Sequence, residues 1–232
     1  MDTAWPDVGD GRRAAGLPVG WAVPMGSRAY YEALWESVPA GSQPPEFALR
    51  KGFLLEHTAA GERVLDVGCG EGHFSSALLR AGASVVGVDV AEEPLRRARA
   101  RDPALELRLI DADEPWPIED ASFDAVWAGE TIEHVLDTAG WLSEVRRVLR
   151  PGGRLLLSTP AHGRLRVLGL ALSRRAFEAH FDPRADHLRF YTRTGLSRLL
   201  CEFGFQEVSA RAVAGPPAAR RLLLARAVRS RW

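Results

Sequence analysis

Two carboxylates and an imidazole stand within five residues in the segment ETIEH, which runs from Glu130 to His134. Histidine titrates near neutral pH, so His134 is suited to accept a proton from a substrate hydroxyl or amine, with Glu130 or Glu133 orienting the ring. A single histidine of this kind is about as often a packed interior residue. The segment is therefore a candidate for proton transfer, and its role depends on what lies beside it.

A second pattern, VLDVGCGEG, places three evenly spaced glycines behind a short apolar run that contains Asp66. Gly68, Gly70 and Gly72 carry no side chains, so the backbone can turn tightly and a ligand can lie directly on it. About twenty residues further on, another apolar run ends at Asp89, whose carboxylate can accept hydrogen bonds from both hydroxyls of a ribose. Together these features predict a site for a nucleoside-like ligand.

The spacing of the glycines distinguishes two kinds of nucleoside ligand. Dinucleotide sites carry GxGxxG, whereas this chain reads GxGxG, with His73 where the dinucleotide pattern has its third glycine. Asp66 and Glu71 beside the glycines suit a cationic ligand better than a diphosphate. The spacing favours a nucleoside with a cationic end, and a nucleotide-dependent oxidoreductase or a non-catalytic ligand-binding protein remains the alternative.

Short apolar runs alternate with amphipathic segments from Arg63 onward, which is typical of βα units in a parallel sheet. Five buried strands are predicted, at residues 64–67, 85–89, 105–110, 125–128 and 154–158. A helix over residues 192–203 and two closing strands, at 205–213 and 221–228, follow. The last of these is compatible with either a strand or a basic amphipathic helix, and we expect a strand. In such a sheet, the glycine pattern and ETIEH both lie at the carboxyl-terminal edge, where open α/β sheets bind ligands.

Two segments do not follow this alternation of predicted strands and helices. Residues 1–60 combine an aperiodic segment rich in Gly, Pro and Trp with two predicted short helices, so we expect an N-terminal arm and a helical cap there. The main domain is expected over residues 61–232, with an insertion on the substrate side at about residues 160–191. Six arginines make that insertion basic: Arg164, Arg166, Arg174, Arg175, Arg184 and Arg189. Such a segment suits either the binding of an anionic group or an ordinary solvated helix face, and its His162 and His180 are expected at the surface.

Three segments carry a resemblance to a known family. They are VLDVGCGEG together with Asp89, LIDADEPWPIEDASFDAVWAGETIEHV from Leu109 to Val135, and EVRRVLRPGGRLLLSTP from Glu144 to Pro160. In this combination, over about residues 63–205, the chain resembles the class I S-adenosylmethionine-dependent methyltransferases, specifically the type 11 and ubiquinone-pathway group. The resemblance implies an α/β, Rossmann-like doubly wound sheet of about seven strands, mostly parallel with an antiparallel last strand, and helices on both faces. It also implies S-adenosylmethionine as the cofactor.

The resemblance further assigns site residues by position. Asp111 is expected to bond the adenine amino group and the Ala112 amide a ring nitrogen, with Trp116 or Ile118 near the base. Gly129 is expected to border the methionine end. The cofactor site implied in this way comprises Asp66, Gly68, Gly70, Gly72, Asp89, Asp111, Ala112 and Gly129.

ETIEH also resembles the metal ligands of small-RNA 3′-end 2′-O-methyltransferases and of some ubiquinone-pathway O-methyltransferases. In the RNA enzymes a further histidine completes the site, and His187 is its best match here. A divalent cation held by Glu130, Glu133, His134 and His187 would acidify a bound hydroxyl. Many metal-free relatives share the pattern, so the metal site stays an alternative to proton transfer by His134, assisted by Glu130.

Composition narrows the class of partner. The 232 residues carry thirty basic and thirty acidic side chains, so net charge gives no reason to expect nucleic acid or a membrane. Cys69 and Cys201 form no CxxC pair, and the N-terminus lacks a basic, apolar leader, so a cytoplasmic protein is expected. The sequence thus predicts methyl transfer to a hydroxyl, or an amine, of a small-molecule acceptor, with 3′-end methylation of RNA as the alternative.

Overall fold

A computed structural model describes residues 28–110, 115–182 and 186–231, and seven strands in these ranges form one sheet. The strands are β1 (Arg63–Val67), β2 (Ser84–Asp89), β3 (Glu106–Leu109), β4 (Phe123–Gly129), β5 (Leu149–Pro160), β6 (Phe205–Val213) and β7 (Leu222–Arg229). Every predicted strand is present. The largest difference is at β5, which begins at Leu149 instead of Arg154, because Leu149 pairs with Phe123 across a register shift in the neighbouring strand.

Eight α-helices accompany the strands in the described ranges. They are α1 (Arg28–Ser37), α2 (Phe47–Glu56), α3 (His73–Arg80), α4 (Glu92–Arg101), α5 (Thr138–Val148), α6 (Arg164–Ala171), α7 (Arg174–His180) and α8 (Arg193–Glu202). The side chain of Thr192 caps α8, accepting a 3.0 Å hydrogen bond from the Gly195 amide. The predicted insertion after β5 contains α6 and α7, two short helices with no buried residue.

The strand order is β3-β2-β1-β4-β5-β7-β6, and all neighbours are parallel except β7, which runs antiparallel to both β5 and β6. This confirms a doubly wound sheet of seven strands with an antiparallel last strand. Residues 222–229 form a strand and not a helix, because they insert between two strands and are buried along almost their whole length. The order reverses between β1 and β4, the position where open α/β sheets bind ligands.

The core lies on both faces of this sheet. Alternate side chains of the strands point to opposite faces, so Leu65 and Val64 belong to different apolar clusters. One cluster is closed by α5 and α8 and the other by α2 and α3. Both faces of the central strands are therefore buried. The buried polar side chains of the parallel strands lie near the carboxyl-terminal ends of those strands.

Helix α1 of the N-terminal cap is bonded to the main domain through α4. The Glu32 carboxylate accepts hydrogen bonds from the amides of Glu92 and Glu93, at 2.5 and 3.0 Å, so it caps α4 from α1. Arg97 of α4 donates to the carbonyl oxygens of Trp35 and Val38, at 2.9 and 2.8 Å. These contacts hold α1 beside the carboxyl-terminal end of β2.

Candidate functional site

The glycine loop between β1 and α3 needs glycine at each of its three positions. Gly68, Gly70 and Gly72 have φ angles of 69°, 54° and 72°, a region that side chains other than glycine rarely adopt. A β carbon on Gly68 would also lie 2.7 Å from the Thr131 hydroxyl oxygen. On Gly70 it would lie 2.9 Å from the ring of Trp35, so α1 packs directly over this loop.

Asp66 and Asp89 place two buried carboxylates beneath the loop. Oδ2 of Asp89 accepts a 2.9 Å hydrogen bond from the Gly70 amide, and Oδ1 accepts a 3.1 Å bond from the Ala91 amide. Burial raises the pKa of Asp89 to about 6, although these backbone bonds oppose the shift. The Asp89 carboxylate is therefore fixed against the loop, as a ribose-binding group must be.

The Glu71 carboxylate, beside the second glycine of the motif, is already paired with basic side chains of α4. Its carboxylate is 2% exposed and pairs with Arg97 at 3.1 Å and Arg101 at 2.9 Å, and it accepts a 2.8 Å bond from the Gly41 amide. The negative charge of Glu71 is therefore neutralised by α4 and by the chain that follows α1. The expectation that it favours a cationic ligand was wrong, because Arg97 and Arg101, which are distant in sequence, already neutralise its charge.

ETIEH follows β4, and its two carboxylates have different surroundings. Glu130 adopts a φ of 57°, and its carboxylate accepts a 2.9 Å hydrogen bond from the Ser158 hydroxyl. Glu133 is fully buried, and its Oε2 accepts a 2.9 Å bond from Thr159. Burial, with the nearby charge of Glu130, raises the pKa of Glu133 well above its usual value. Its Oε1 has no hydrogen-bond partner within the described residues.

The tautomer of His134 follows from its partner. Its Nδ1 lies 3.0 Å from the carbonyl oxygen of Asp186, and because a carbonyl only accepts, Nδ1 must carry the hydrogen. In the neutral ring, the lone pair is therefore on Nε2. The Asp186 carboxylate lies 3.4 Å from Nδ1, a position from which it stabilises a positively charged ring. This is the arrangement of a proton-accepting histidine that an acidic residue supports.

Of the four residues considered as metal ligands, the structure brings three together. Ligand atoms of Glu133, His134 and His187 lie within 4.8 Å of one another, and the two imidazole rings are 4.8 Å apart between centroids. Glu130 is not in this group and is bonded to Ser158 instead. The ligand atoms of these three residues are close enough together to hold a divalent cation.

Arg50 of α2 is a polar residue at this site that the sequence reasoning missed. It is 2% exposed, and its guanidinium lies 4.8 Å from the centre of the Phe74 ring. A β carbon on Gly129 would lie 2.5 Å from its Nη2, so glycine at the end of β4 leaves room for this arginine. A signal existed: Arg50 is three and four residues before the buried Phe53 and Leu54, and hence on the buried face of α2.

Tyr31 of α1 is a second residue that was missed. Its ring stands edge-on to His134 at 6.4 Å between centroids. Burial and the nearby Asp186 carboxylate raise the pKa of its hydroxyl. The group therefore keeps its proton at neutral pH and can only donate or accept a hydrogen bond. The sequence offers no local signal for this contact, since α1 and ETIEH are far apart along the chain.

Other predicted positions have mixed outcomes. Asp111 and Ala112 lie outside the described residues. Trp116 and Ile118 are buried, at 5% and 8% exposure, in the cluster that contains the strand cores. His162 was expected at the surface, and that was wrong: it is 7% exposed, because the rings of His180 and Phe190 cover it at 5.2 and 5.0 Å.

Comparison with known proteins decides the family. A model of the methyltransferase domain family matches residues 43–210, which include β1 to β5, the glycine loop and ETIEH. The chain belongs to this methyltransferase family. The prediction of a class I S-adenosylmethionine-dependent methyltransferase is therefore confirmed, and this result favours methyl transfer over the oxidoreductase alternative.

Relatives of this methyltransferase domain include enzymes of ubiquinone biosynthesis. The domain is 40% identical over 116 residues to the ubiquinone biosynthesis O-methyltransferase of Pseudomonas aeruginosa, covering 48% of this chain and 50% of the relative. That of Idiomarina loihiensis is 42% identical over 123 residues, covering 48% of each chain. The chain thus spans about half the length of these curated relatives.

Solved structures share the fold at low identity. Phosphoethanolamine N-methyltransferase 2 of Haemonchus contortus, bound to S-adenosylmethionine, superposes with a TM-score of 0.67 at 19% identity, over 88% of this chain and 57% of that one. The 1,6-didemethyltoxoflavin N1-methyltransferase of Burkholderia thailandensis gives 0.60 at 21% identity, over 78% of this chain and 77% of that one.

No described helix of this chain is long and apolar enough to cross a bilayer.

Proposed function

We propose that this methyltransferase domain transfers the methyl group of S-adenosylmethionine to a hydroxyl, or an amine, of a small-molecule acceptor. The observation that carries the proposal is the tautomer of His134. Its Nδ1 is bonded to Asp186, and its Nε2 keeps a lone pair at the end of β4. A group that accepts a proton is what an acceptor hydroxyl needs as it becomes a nucleophile. The names of the ubiquinone-pathway relatives favour oxygen as the acceptor atom.

The glycine loop and Asp89 form the nucleoside half of the proposed cofactor site. The Asp89 carboxylate is fixed by two backbone amides and has lone pairs left for the two ribose hydroxyls. Gly68, Gly70 and Gly72 let the ligand approach the backbone, and Asp66 lies buried behind them. Asp111 and Ala112 remain the proposed adenine contacts, on the resemblance alone.

Arg50 and Gly129 form the proposed methionine half. Nε of Arg50 is buried and has no hydrogen-bond partner in the described parts of the chain, and burial lowers the pKa of the guanidinium. An unsatisfied buried donor is costly, so it indicates a missing acceptor. The carboxylate of the methionine end would supply that acceptor and pair with the Arg50 guanidinium, which is buried near Asp66, Glu130 and Glu133.

The residues at the end of β4 then assist the transfer. S-adenosylmethionine supplies a methyl group already activated on a positively charged sulfur, so the acceptor displaces S-adenosylhomocysteine directly. The oxygen–methyl bond forms as the sulfur–methyl bond breaks, and His134 Nε2 takes the hydroxyl proton. Asp186 stabilises the imidazolium, and Glu130, held by Ser158, borders the same space. Tyr31 contributes a hydroxyl that keeps its proton.

The metal-dependent alternative uses the same residues differently. Glu133, His134 and His187 would hold a divalent cation, which would lower the pKa of a bound hydroxyl. This grouping is also the observation that favours 3′-end methylation of RNA, the second candidate function. Proton transfer to Nε2 and metal binding by Nε2 exclude each other, so the two proposals predict opposite responses to a chelator.

An acceptor screen with labelled methyl donor tests the proposal. Phenols, alcohols, amines and short RNA with a free 3′ end are each incubated with and without EDTA. Incorporation into a small hydroxyl compound that EDTA leaves unchanged supports the proposed reaction. Incorporation into RNA supports the metal-dependent alternative. So does incorporation into any acceptor that is lost when EDTA is added. Binding of S-adenosylhomocysteine without transfer to any acceptor would contradict the catalytic proposal and identify a non-catalytic binding protein.

A further inference from the structure

The insertion after β5 carries an apolar surface that nothing in the described chain covers. Eight large apolar residues are exposed in the described ranges, and six of them lie between residues 165 and 190. They are Leu165, Leu168, Leu172, Phe177, Phe181 and Phe190, with exposures of 61, 56, 82, 44, 42 and 47%. These six residues are called the apolar patch below. Exposed apolar residues grouped in this way mark an interaction surface.

The patch has a defined geometry. Leu165 and Leu168 of α6 and the following Leu172 are three and seven residues apart, which places them on one side of the helix. Phe181 joins the aromatic part, since its ring lies 4.8 Å from that of Phe177 and 5.7 Å from that of Phe190. Helices α6 and α7 pack against each other and contain no buried residue, so their packing leaves the apolar patch exposed.

The same helices are basic. Residues 164–182 contain four arginines and two carboxylates in a chain whose formal charge is zero. The side chain of Arg174 is 90% exposed, and its Nε donates a 2.8 Å hydrogen bond to the carboxylate of Glu178. Arg164 and Arg175 are also exposed. Apolar side chains flanked by arginines are typical of a segment that lies in the interface of an anionic bilayer.

We propose that the apolar patch docks on the surface of an anionic phospholipid bilayer. The leucine and phenylalanine side chains would enter the boundary between headgroups and acyl chains, and the arginines would pair with lipid phosphates. Self-association is less favourable, because a symmetric contact through this patch would bring the two sets of arginines together. The sequence expectation of no membrane partner rested on net charge, which averages out this local excess.

The position of the patch adds a consequence that rests on the proposed function. Phe190 of the patch lies 5.0 Å from the ring of His162, and Ala161 pairs with Tyr191 beside it, at the carboxyl-terminal end of β5. This is the end of the sheet that carries His134. An acceptor with an apolar body would therefore pass from the bilayer to the site along the insertion.

Vesicle sedimentation with the full chain tests the docking without cofactor or acceptor. Vesicles of equal parts phosphatidylglycerol and phosphatidylcholine should carry the protein down, vesicles of phosphatidylcholine alone much less, and added salt should weaken binding. Leu168→Asp combined with Leu172→Asp should weaken binding at least about tenfold. Leu49→Asp, at a 38% exposed leucine of α2, is the matched control and should bind as the wild type does.

Unchanged S-adenosylhomocysteine affinity and thermal midpoint would show that these variants fold. Absence of sedimentation with the anionic vesicles, or equal binding by the double leucine variant, would overturn the proposal. The proposal would also be overturned if light scattering showed a dimer that the double leucine variant converts to a monomer. That result would assign the patch to contact with a second copy of the chain. Vesicle binding that appears only after removal of residues 1–27 would mean that this segment, and not lipid, occupies the apolar patch. That result would also overturn the proposal. None of these outcomes depends on methyl transfer, which the acceptor screen tests separately.

Discussion

The hydroxyl group of Ser75 donates a 2.6 Å hydrogen bond to Oδ2 of Asp66, and both residues are buried at the carboxyl-terminal end of β1. Burial raises the pKa of Asp66 from 3.8 to about 7, while this hydrogen bond opposes the shift. The interior beneath the glycine loop therefore holds a carboxyl group that ionises reluctantly.

This relationship predicts how stability depends on pH. The folded-state pKa of Asp66 lies above the unfolded value, so its stabilising contribution is complete below about pH 4 and is lost as pH rises toward 7. Asp66→Asn keeps an acceptor for Ser75 without a charge. Its free energy of unfolding should fall less between about pH 4 and pH 8, by on the order of a few kcal/mol. Denaturant unfolding at the two pH values measures this. Glu106→Gln, at an exposed side chain of β3, should keep the wild-type slope.

The glycine loop predicts a steric effect at Gly68. Gly68→Ala forces a side chain into a φ of 69° and against the Thr131 hydroxyl, so it should cost about 1–3 kcal/mol of stability and weaken S-adenosylhomocysteine binding. Thermal unfolding and calorimetry measure the two effects. Gly52→Ala is the control, because that glycine lies within α2 with open space around its α carbon, and alanine should be neutral or slightly stabilising there. Equal effects at both positions would refute the steric argument.

Asp89 should contribute to the binding affinity of every ligand that carries the ribose. Asp89→Ala removes the proposed acceptor for two hydroxyls and frees the Gly70 amide, so affinity should fall at least about 100-fold. Calorimetry should show this loss for S-adenosylhomocysteine and also for methylthioadenosine, which lacks the amino acid end. A loss confined to one of the two ligands would contradict the ribose assignment.

Arg50 should discriminate between the same two ligands. Arg50→Met preserves apolar packing against Phe74 but removes the proposed partner of the methionine carboxylate. Affinity for S-adenosylhomocysteine should fall about 10- to 100-fold, the range of a hydrogen-bonded charge pair, while affinity for methylthioadenosine should hold. Arg63→Met, at the start of β1 and beside the Phe123 ring, serves as the control. If both ligands lose affinity equally, Arg50 is a packing residue only.

His134 should affect turnover and not cofactor affinity. His134→Asn removes the Nε2 lone pair, so kcat should fall about 10²- to 10⁴-fold with the acceptor found in the screen. Binding of S-adenosylhomocysteine should change little. His57 also bonds a backbone carbonyl, at 3.1 Å through Nδ1, but precedes β1, so His57→Asn should turn over normally. Normal turnover by His134→Asn would remove it from the mechanism.

Local patterns determined much of this protein. The first six strands and the turns at Gly68, Gly70 and Gly72 follow from spacing and backbone conformation, which a few neighbouring residues decide. The final strand was compatible with a helix as well, and its insertion between β5 and β6 decides it. The site edge and the cofactor class followed from those turns and from the resemblance that accompanied them.

Contacts between distant segments were decided only by the tertiary structure. Packing of α4 beside the glycine loop pairs Glu71 with Arg97 and Arg101, and packing of the cap brings Tyr31 to His134. The insertion supplies Asp186 as the partner of His134. Such contacts depend on where whole helices pack, and no spacing along the chain records that. The sequence by itself therefore predicted which loop receives the cofactor, whereas the fold decided which charges are neutralised beside that loop and which nitrogen of His134 bonds Asp186.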